Sequence, residues 1–520
     1  MQITFESAYE WLYPDLPGHG TDKWPAMATA RGASASFQIL VKGLAQGDKI
    51  TLSLTGAQAD LFRELPVCAN MNTGVTGYTV PEGEEPPYVT RKAPFRVYDA
   101  LEDVKDGVTA SGDTEAFYIT LRTPGDAVPG EYPLSLSIAV NGAEQKYGTS
   151  LTVTNALVDR ETFQMTQWFS IGNMAKFHGL EMWSEEHWDM IRRYGLLMRR
   201  MRQTHFWITW DLVGVTREGN TYSFDFSRVE RLIRLYLSLG FTAIEGGTLC
   251  SRRQWISSEF WVNRALPYTM PALCDEGYLY LSQFLTAWRE FLKSNGWYDR
   301  LVQHIGDEPC DRAAPEYRQV ASIVRKFLPG VKIIEAVETL LLSGAVDVWV
   351  PKNEFLQKHI DELRPHQKLG DELWFYTCCN PGGYYANRLL DMPLIRTRML
   401  FWGAYAFNVQ GYLHWGLNHF MEGCDAYQQT ATRNGDIGNC LPAGDRNIVY
   451  YSPDRKDVYG CVRLEQTMAG IEELELLRAL ERKDPAKAKE ICGRVFRAFD
   501  DCDAAPGEFE AARRELLSAF

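Results

Sequence analysis

From the first residues to about residue 155, apolar and polar side chains alternate over short runs. SASFQILVK, KITLSLTG, FYITLRT and YPLSLSIAV follow this pattern, and turn clusters such as TPGDAVPGE and VNGAEQ separate them. A period of two is that of a strand with one buried face. Helical spacing is almost absent. Two antiparallel sheets packed face to face bury such strands most simply. Residues 1–155 are therefore predicted to form an all-β sandwich.

The pattern changes near Asn155. Strand-like runs at 163–170, 204–211, 241–246, 301–306, 331–336, 346–351, 373–378 and 411–415 now alternate with helical ones. SEEHWDMIRRYGLLMRRMR, DFSRVERLIRLYLSLG, YLYLSQFLTAWREFLKS and APEYRQVASIVRKFL place apolar residues at i, i+3, i+4 and i+7. The first of these opens on Ser184, a predicted N-cap, followed by Glu185 and Glu186, where the helix dipole favours negative charge. Eight strands alternating with helices predict an α/β fold, a (β/α)8 TIM barrel over residues 156–520. VRLEQTMAGIEELELLRALERK is its last helix. The connection between strands five and six is short, and a doubly wound open sheet is the alternative.

Composition removes several functions. The net charge of −13 gives no basic footprint for nucleic acid. No apolar run has the length of a membrane span, and the N-terminus reads as lacking a signal peptide, so a cytoplasmic protein is expected. Eleven scattered cysteines fit a reducing compartment, Cys378 and Cys379 simply following a strand. Nine histidines without HExxH or paired CxxC argue against a zinc site. The 15 tryptophans either fill cores or stack on sugar faces.

LVQHIGDEPCDR, 301–312, carries the chemistry. Asp307 and Glu308 stand at the C-terminal end of the fourth predicted strand, where barrel chemistry sits. Two carboxylates this close cannot both ionise easily, so one holds its proton to higher pH. That one can act as a general acid while its neighbour stays an anion. Adjacent acids fit poorly into a glycosidase that needs one on each side of the bond, and better where the substrate supplies the nucleophile, as a 2-acetamido group does. The plainer reading of Asp-Glu-Pro is a solvated turn and N-cap.

HIGDEP resembles the active-site strand of glycoside hydrolase family 123 and the related catalytic domain of unknown function 4091. WFYTCCNPGGYYANRLLDMPLIRTRMLFW is similar to that family's seventh-strand segment, GYLHWGLNHF to its eighth, CVRLEQTMAGIEELELL to its last barrel helix and RGASASFQILV to its N-terminal sandwich. The sequence departs from the family at Glu473 and Leu474, where Asp-Tyr is expected, and at Ser452, where proline is expected. The resemblance implies an exo-acting, retaining, substrate-assisted β-N-acetylgalactosaminidase that needs no cofactor and acts on an oligosaccharide or glycoconjugate. It implies Glu308 as general acid/base and Asp307 as the group that orients the acetamido.

Further residues lie at strand ends. Tyr376 is expected to donate to the acetamido oxygen, or else to be a core tyrosine. Of His414 and Trp415, which point to opposite faces, Trp415 is expected to form a stacking floor and His414 to meet a sugar hydroxyl or the core. Asn418 either bonds a hydroxyl or shapes its turn. Trp168 and Trp349 are expected to wall an acetamido-methyl pocket or to fill the core. Asp211 and Glu245 are expected to bind hydroxyls or pair with a neighbouring arginine. Asn387 and Arg388 organise their loop. The loop at 248–275, with Arg252, Arg253, Trp255 and Trp261, is long enough to recognise an aglycone or a neighbouring subunit. In the loop at 416–447, Asp445 either helps close the site or lies in a surface turn.

Overall fold

The computed structural model describes residues 1–81, 83–86, 88–263, 270–434 and 438–520. Two sheets build the N-terminal part. The larger contains strands Gln2–Glu6, Ser34–Lys42, Thr114–Arg122, Gln58–Ala69 and Phe95–Asp103 in that spatial order. The smaller contains Met27–Arg31, Ala143–Leu157, Gly130–Val140, Lys49–Thr55 and Val108–Thr109. Their facing side chains, among them Phe37, Ile39, Phe117, Ile119, Leu136 and Ile138, form one apolar core. Thr114–Arg122 is buried on both faces, because the far side of the larger sheet packs against the barrel. A hairpin from the end of the barrel, Tyr450–Tyr451 and Val458–Cys461, extends the larger sheet by pairing Gly460 with Leu101 and Cys461 with Ala100.

Eight parallel strands follow: Gln164–Gln167, His205–Ile208, Ala243–Gly246, Leu301–Gln303, Lys332–Val337, Val348–Pro351, Glu372–Tyr376 and Gly411–His414. The eighth pairs with the first, and Thr204 N donates to Met165 O at 3.0 Å where the first meets the second. The ring is a nearly closed TIM barrel. All eight predicted strands are present. Helix Glu185–Arg200 is capped by the Ser184 side chain as the sequence predicts. Strands five and six are joined by turns alone over 338–347, without a helix. Helix Val462–Glu481 follows the eighth strand and is buried along almost its whole length between barrel and sandwich.

Inside the barrel, Ile334, Ala336, Val348, Val350, Trp374, Tyr376 and Leu413 form a separate apolar cluster. These are alternate residues of their strands, as the period of two requires. They fix which residues of each strand continue toward the mouth. Among the described residues no helix is long and apolar enough to cross a membrane, and all 11 cysteines are free.

Candidate active site

A cavity of about 530 Å³ opens at the C-terminal ends of the barrel strands. Asp307 and Glu308 both line it, with Glu338, Lys352 and Tyr376 on the polar side and Trp168, Trp207, Trp255 and Trp415 on the aromatic side. In an extended strand consecutive side chains would diverge. Here Glu308 takes a left-handed backbone conformation, φ 46°, so the chain turns and both acids face the same space. The turn is clasped from outside. Arg252 donates from Nη2 to the carbonyls of Asp307, at 3.0 Å, and Glu308, at 2.7 Å. Arg252 is carried by a hairpin, Cys250–Arg252 with Phe260–Val262, inside the long third loop. Gly306 lets the hairpin approach: a Cβ there would lie 2.5 Å from the Phe260 ring.

Below the turn, His304 is buried between two carboxylates, Nδ1 2.9 Å from Glu335 and Nε2 2.7 Å from Glu245. Burial alone would lower its pKa, but the two carboxylates raise it to about 10, so it is an imidazolium. The other oxygen of Glu335 accepts from the backbone N–H groups of Ile305 and Gly306, each at 2.9 Å, and from Tyr317. Glu245 also accepts from Trp168 Nε1 at 2.8 Å, which fixes that indole where it stacks on Trp207, with ring centroids 4.5 Å apart.

Burial raises the pKa of both Asp307 and Glu308. Asp307 is raised furthest, because the charges of Glu308 and Glu335 add to its burial. Glu308 is held back by the Lys352 ammonium and by a hydrogen bond donated from the Tyr376 hydroxyl. Among the described residues no donor bonds the Asp307 carboxyl, which leaves it open to a ligand.

The structure brings together Asp307, Glu308, Tyr376, Trp168 and Trp415 around the cavity, with Trp255 of the third loop, and leaves His414, Asn418, Trp349, Glu245 and Asp211 off its lining. Trp349 points outward from strand six: its ring lies tilted against His366 of the helix layer and it donates to Asp371 at 2.9 Å, because its neighbours Val348 and Val350 take the inward positions. His414 lies behind Trp415, where its Nδ1 accepts from Arg388 Nη2 at 2.7 Å and from Gly416 N at 2.9 Å. Asn418 is spent on the backbone of Ser170, accepting from its N–H at 2.8 Å and donating to its C=O at 3.0 Å. Glu245 acts one layer down, through His304 and Trp168. Asp211 is exposed on a short 3₁₀ turn away from the cavity. Asn387 holds its loop by donating to Cys378 O and Pro381 O. Asp445 is fully buried, accepts from Trp415 Nε1 at 3.2 Å and is raised to about 7 by burial. Trp261 lies outside the lining, with Arg253 over its ring. Residues 264–269 and 435–437 of the two long loops lie outside the described residues.

Several lining residues were not anticipated. Glu338 and Lys352 directly follow strands five and six, and that position was the available signal. Tyr78 comes from the sandwich, on the segment between strands Gln58–Ala69 and Phe95–Asp103. Gly77 permits the contact, with φ +102° and a would-be Cβ 2.0 Å from Cys379 O. Cys378 and Cys379 also line the cavity.

Among solved structures, a family 123 glycoside hydrolase from Clostridium perfringens, described in work on glycolipid glycan hydrolysis, shares the fold: TM-score 0.72 at 15% identity, over 99% of this chain and 96% of that one. A β-glucuronidase from Parabacteroides merdae matches at TM-score 0.32 and 9% identity, over 92% of this chain and 52% of that one. A GH10 xylanase from Thermobacillus composti matches at TM-score 0.35 and 9% identity, over 60% and 97%. A comparison with curated protein sequences finds no match. The family model for the catalytic domain of glycoside hydrolase 123 matches residues 168–480, more than half of the chain, and the protein belongs to glycoside hydrolase family 123.

Proposed function

We propose that this glycoside hydrolase removes terminal β-linked 2-acetamido sugars, N-acetylgalactosamine foremost, with retention of configuration and with the substrate's own acetamido oxygen as nucleophile. The observation that carries the reading is the facing of two consecutive acids into one cavity, one of them free of protein donors among the described residues. The choice of sugar rests on the family resemblance.

In this reading the acetamido carbonyl oxygen attacks C1 while Glu308 gives its proton to the glycosidic oxygen. The C1–O bond breaks, the aglycone leaves as an alcohol, and an oxazolinium ion forms within the sugar. Asp307 accepts the amide N–H and so orients the nucleophile. That hydrogen bond favours the Asp307 anion, which moves the proton shared by the two acids onto Glu308 as substrate binds. Glu308 then takes a proton from water as the water opens the ring at C1. Two inversions give net retention. The tryptophans supply flat apolar faces for the sugar's C–H surfaces.

Turnover of a panel of chromogenic β-glycosides tests this. The 2-acetamido sugars should react, Glu308→Gln should lower kcat roughly 100-fold or more, and Asp307→Asn should lower kcat more than it raises KM. Turnover restricted to sugars with a free 2-hydroxyl would reject the substrate-assisted route. It would favour a second reading in which Glu338, the third carboxylate on the cavity wall, is a conventional nucleophile.

A further inference from the structure

We infer that Lys352 and Glu338, a charged couple on the cavity wall shared with Glu308, are positioning residues for that acid and fix the pH range in which the enzyme works. This rests on Glu308 being the acid.

The barrel register places the pair. Ile334 and Ala336, Val348 and Val350, and Trp374 and Tyr376 are inward residues of strands five, six and seven. One more step of two along each strand reaches Glu338, Lys352 and Cys378, all three on the cavity wall. Lys352 is bridged in the sheet to Tyr376, whose hydroxyl donates to Glu308. Its Nζ lies 2.5 Å from Glu338 Oε1, and this is the single hydrogen bond of either side chain among the described residues. The pair is therefore a charged couple beside the acid, with donor and acceptor capacity unused.

Each charge alone would spoil the acid. A lone lysine would draw Glu308 to its anion before substrate arrives. A lone glutamate would hold the proton too tightly. Paired, Glu338 keeps Lys352 in place, and Lys352 meets the negative charge that appears when the Glu308 proton passes to the glycosidic oxygen. Lys352 itself transfers no proton. Closing the cavity over a sugar removes water and strengthens both effects. The pKa directions agree: after burial, Lys352 is the largest lowering influence on Glu308, and Glu338 raises it. The other titratable or charged groups around Glu308 are Asp307 on the same turn, Arg252 from the hairpin, Tyr376 of strand seven with Cys378 and Cys379 just after it, Tyr78 from the sandwich and His419 after strand eight, with His304 and Glu335 beneath Asp307. All stay in place when only the pair is altered.

The test is the pH dependence of kcat/KM for Lys352→Met and Glu338→Gln on a chromogenic β-linked 2-acetamido glycoside. Its basic limb reports the acid of the free enzyme. Loss of the cation should move that limb to higher pH, and loss of the anion to lower pH, each by about one pH unit. Lys352→Arg and Glu338→Asp keep the charges and should keep the wild-type limb; they also serve where the neutral variants fail to fold. Shifts in the same direction, or unmoved limbs with only KM raised, overturn the inference and leave the pair as a wall that binds hydroxyls. Abolished activity in Glu338→Gln, restored by azide, would instead make Glu338 a nucleophile. Glu308→Gln measured alongside separates the two levels. If it retains turnover, the acid assignment fails. If it is inactive while the pair variants show wild-type profiles, only the pair's role fails.

Discussion

Glu308 has a left-handed backbone directly before Pro309, a combination that sterics disfavour and that costs on the order of 1–3 kcal/mol. Its effect is directional, since an extended residue would send Asp307 and Glu308 to opposite faces. The turn is held from below by Glu335, which accepts the Ile305 and Gly306 N–H groups, and Glu335 is held by His304. Removing the imidazolium would leave two buried carboxylates facing each other, so His304→Gln should destabilise the fold in a pH-dependent way. The folded value of about 10 lies above the ordinary 6.5. The stabilisation is therefore complete below about pH 6.5 and is lost as pH rises through about 10. Thermal-unfolding midpoints of variant and wild type should lie furthest apart near pH 6 and converge toward about pH 10. A gap that stays constant over that range would mean a neutral ring.

Among elements, the hairpin Cys250–Arg252/Phe260–Val262 does what the barrel strands cannot: it reaches across the mouth and holds the acid-bearing turn by its carbonyls. Lysine at 252 would keep the charge but lose the planar guanidinium that serves these two carbonyls from Nη2 while Nη1 donates to the Trp255 carbonyl. Arg252→Lys should therefore lower kcat roughly tenfold with little change in KM, the cost of a turn no longer held in register. An unchanged kcat would show that the turn holds itself. The strands and helices of the barrel were legible from periodicity, and so was the position of the two acids at a strand end. The site beyond them was less so, for a physical reason. A barrel strand is buried on both faces, so its composition does not say which alternate set points inward. Trp349 and Val350 look equally internal in VDVWVP, and only the assembled barrel turns the tryptophan to the helix layer and continues the other set to Lys352. The hairpin escaped because its strands are three residues each, too short for a pattern.

At the scale of the molecule, the sandwich is part of the site. It lends Tyr78 to the cavity, and Asp391 of the barrel anchors the segment that carries it, accepting from Thr73 N at 2.6 Å, Thr73 Oγ1 at 2.7 Å and Asn72 Nδ2 at 3.1 Å. Helix Val462–Glu481 joins the two halves through buried charge. Glu465 accepts from Thr120 at 2.7 Å, Glu472 accepts from Ser34, and Glu473, where the family pattern differs, gathers Arg398, Trp402 and Arg513. At the centre Arg463 donates to Asp99 of the sandwich, from Nε at 3.0 Å and Nη2 at 2.8 Å, and to the backbone carbonyl of Gly444 at 2.7 Å. Both partners are fully buried, so removing one leaves the other as an uncompensated charge, at a cost of about 3–5 kcal/mol. Because the pair spans the interface, that loss should be felt by both halves together. Denaturant unfolding of Arg463→Met, followed by near-ultraviolet circular dichroism and by glycosidase activity, should show one transition moved to lower denaturant, the two signals coinciding. Two separate transitions, with activity lost at the first, would instead mean that the barrel folds independently and that the sandwich only docks against it.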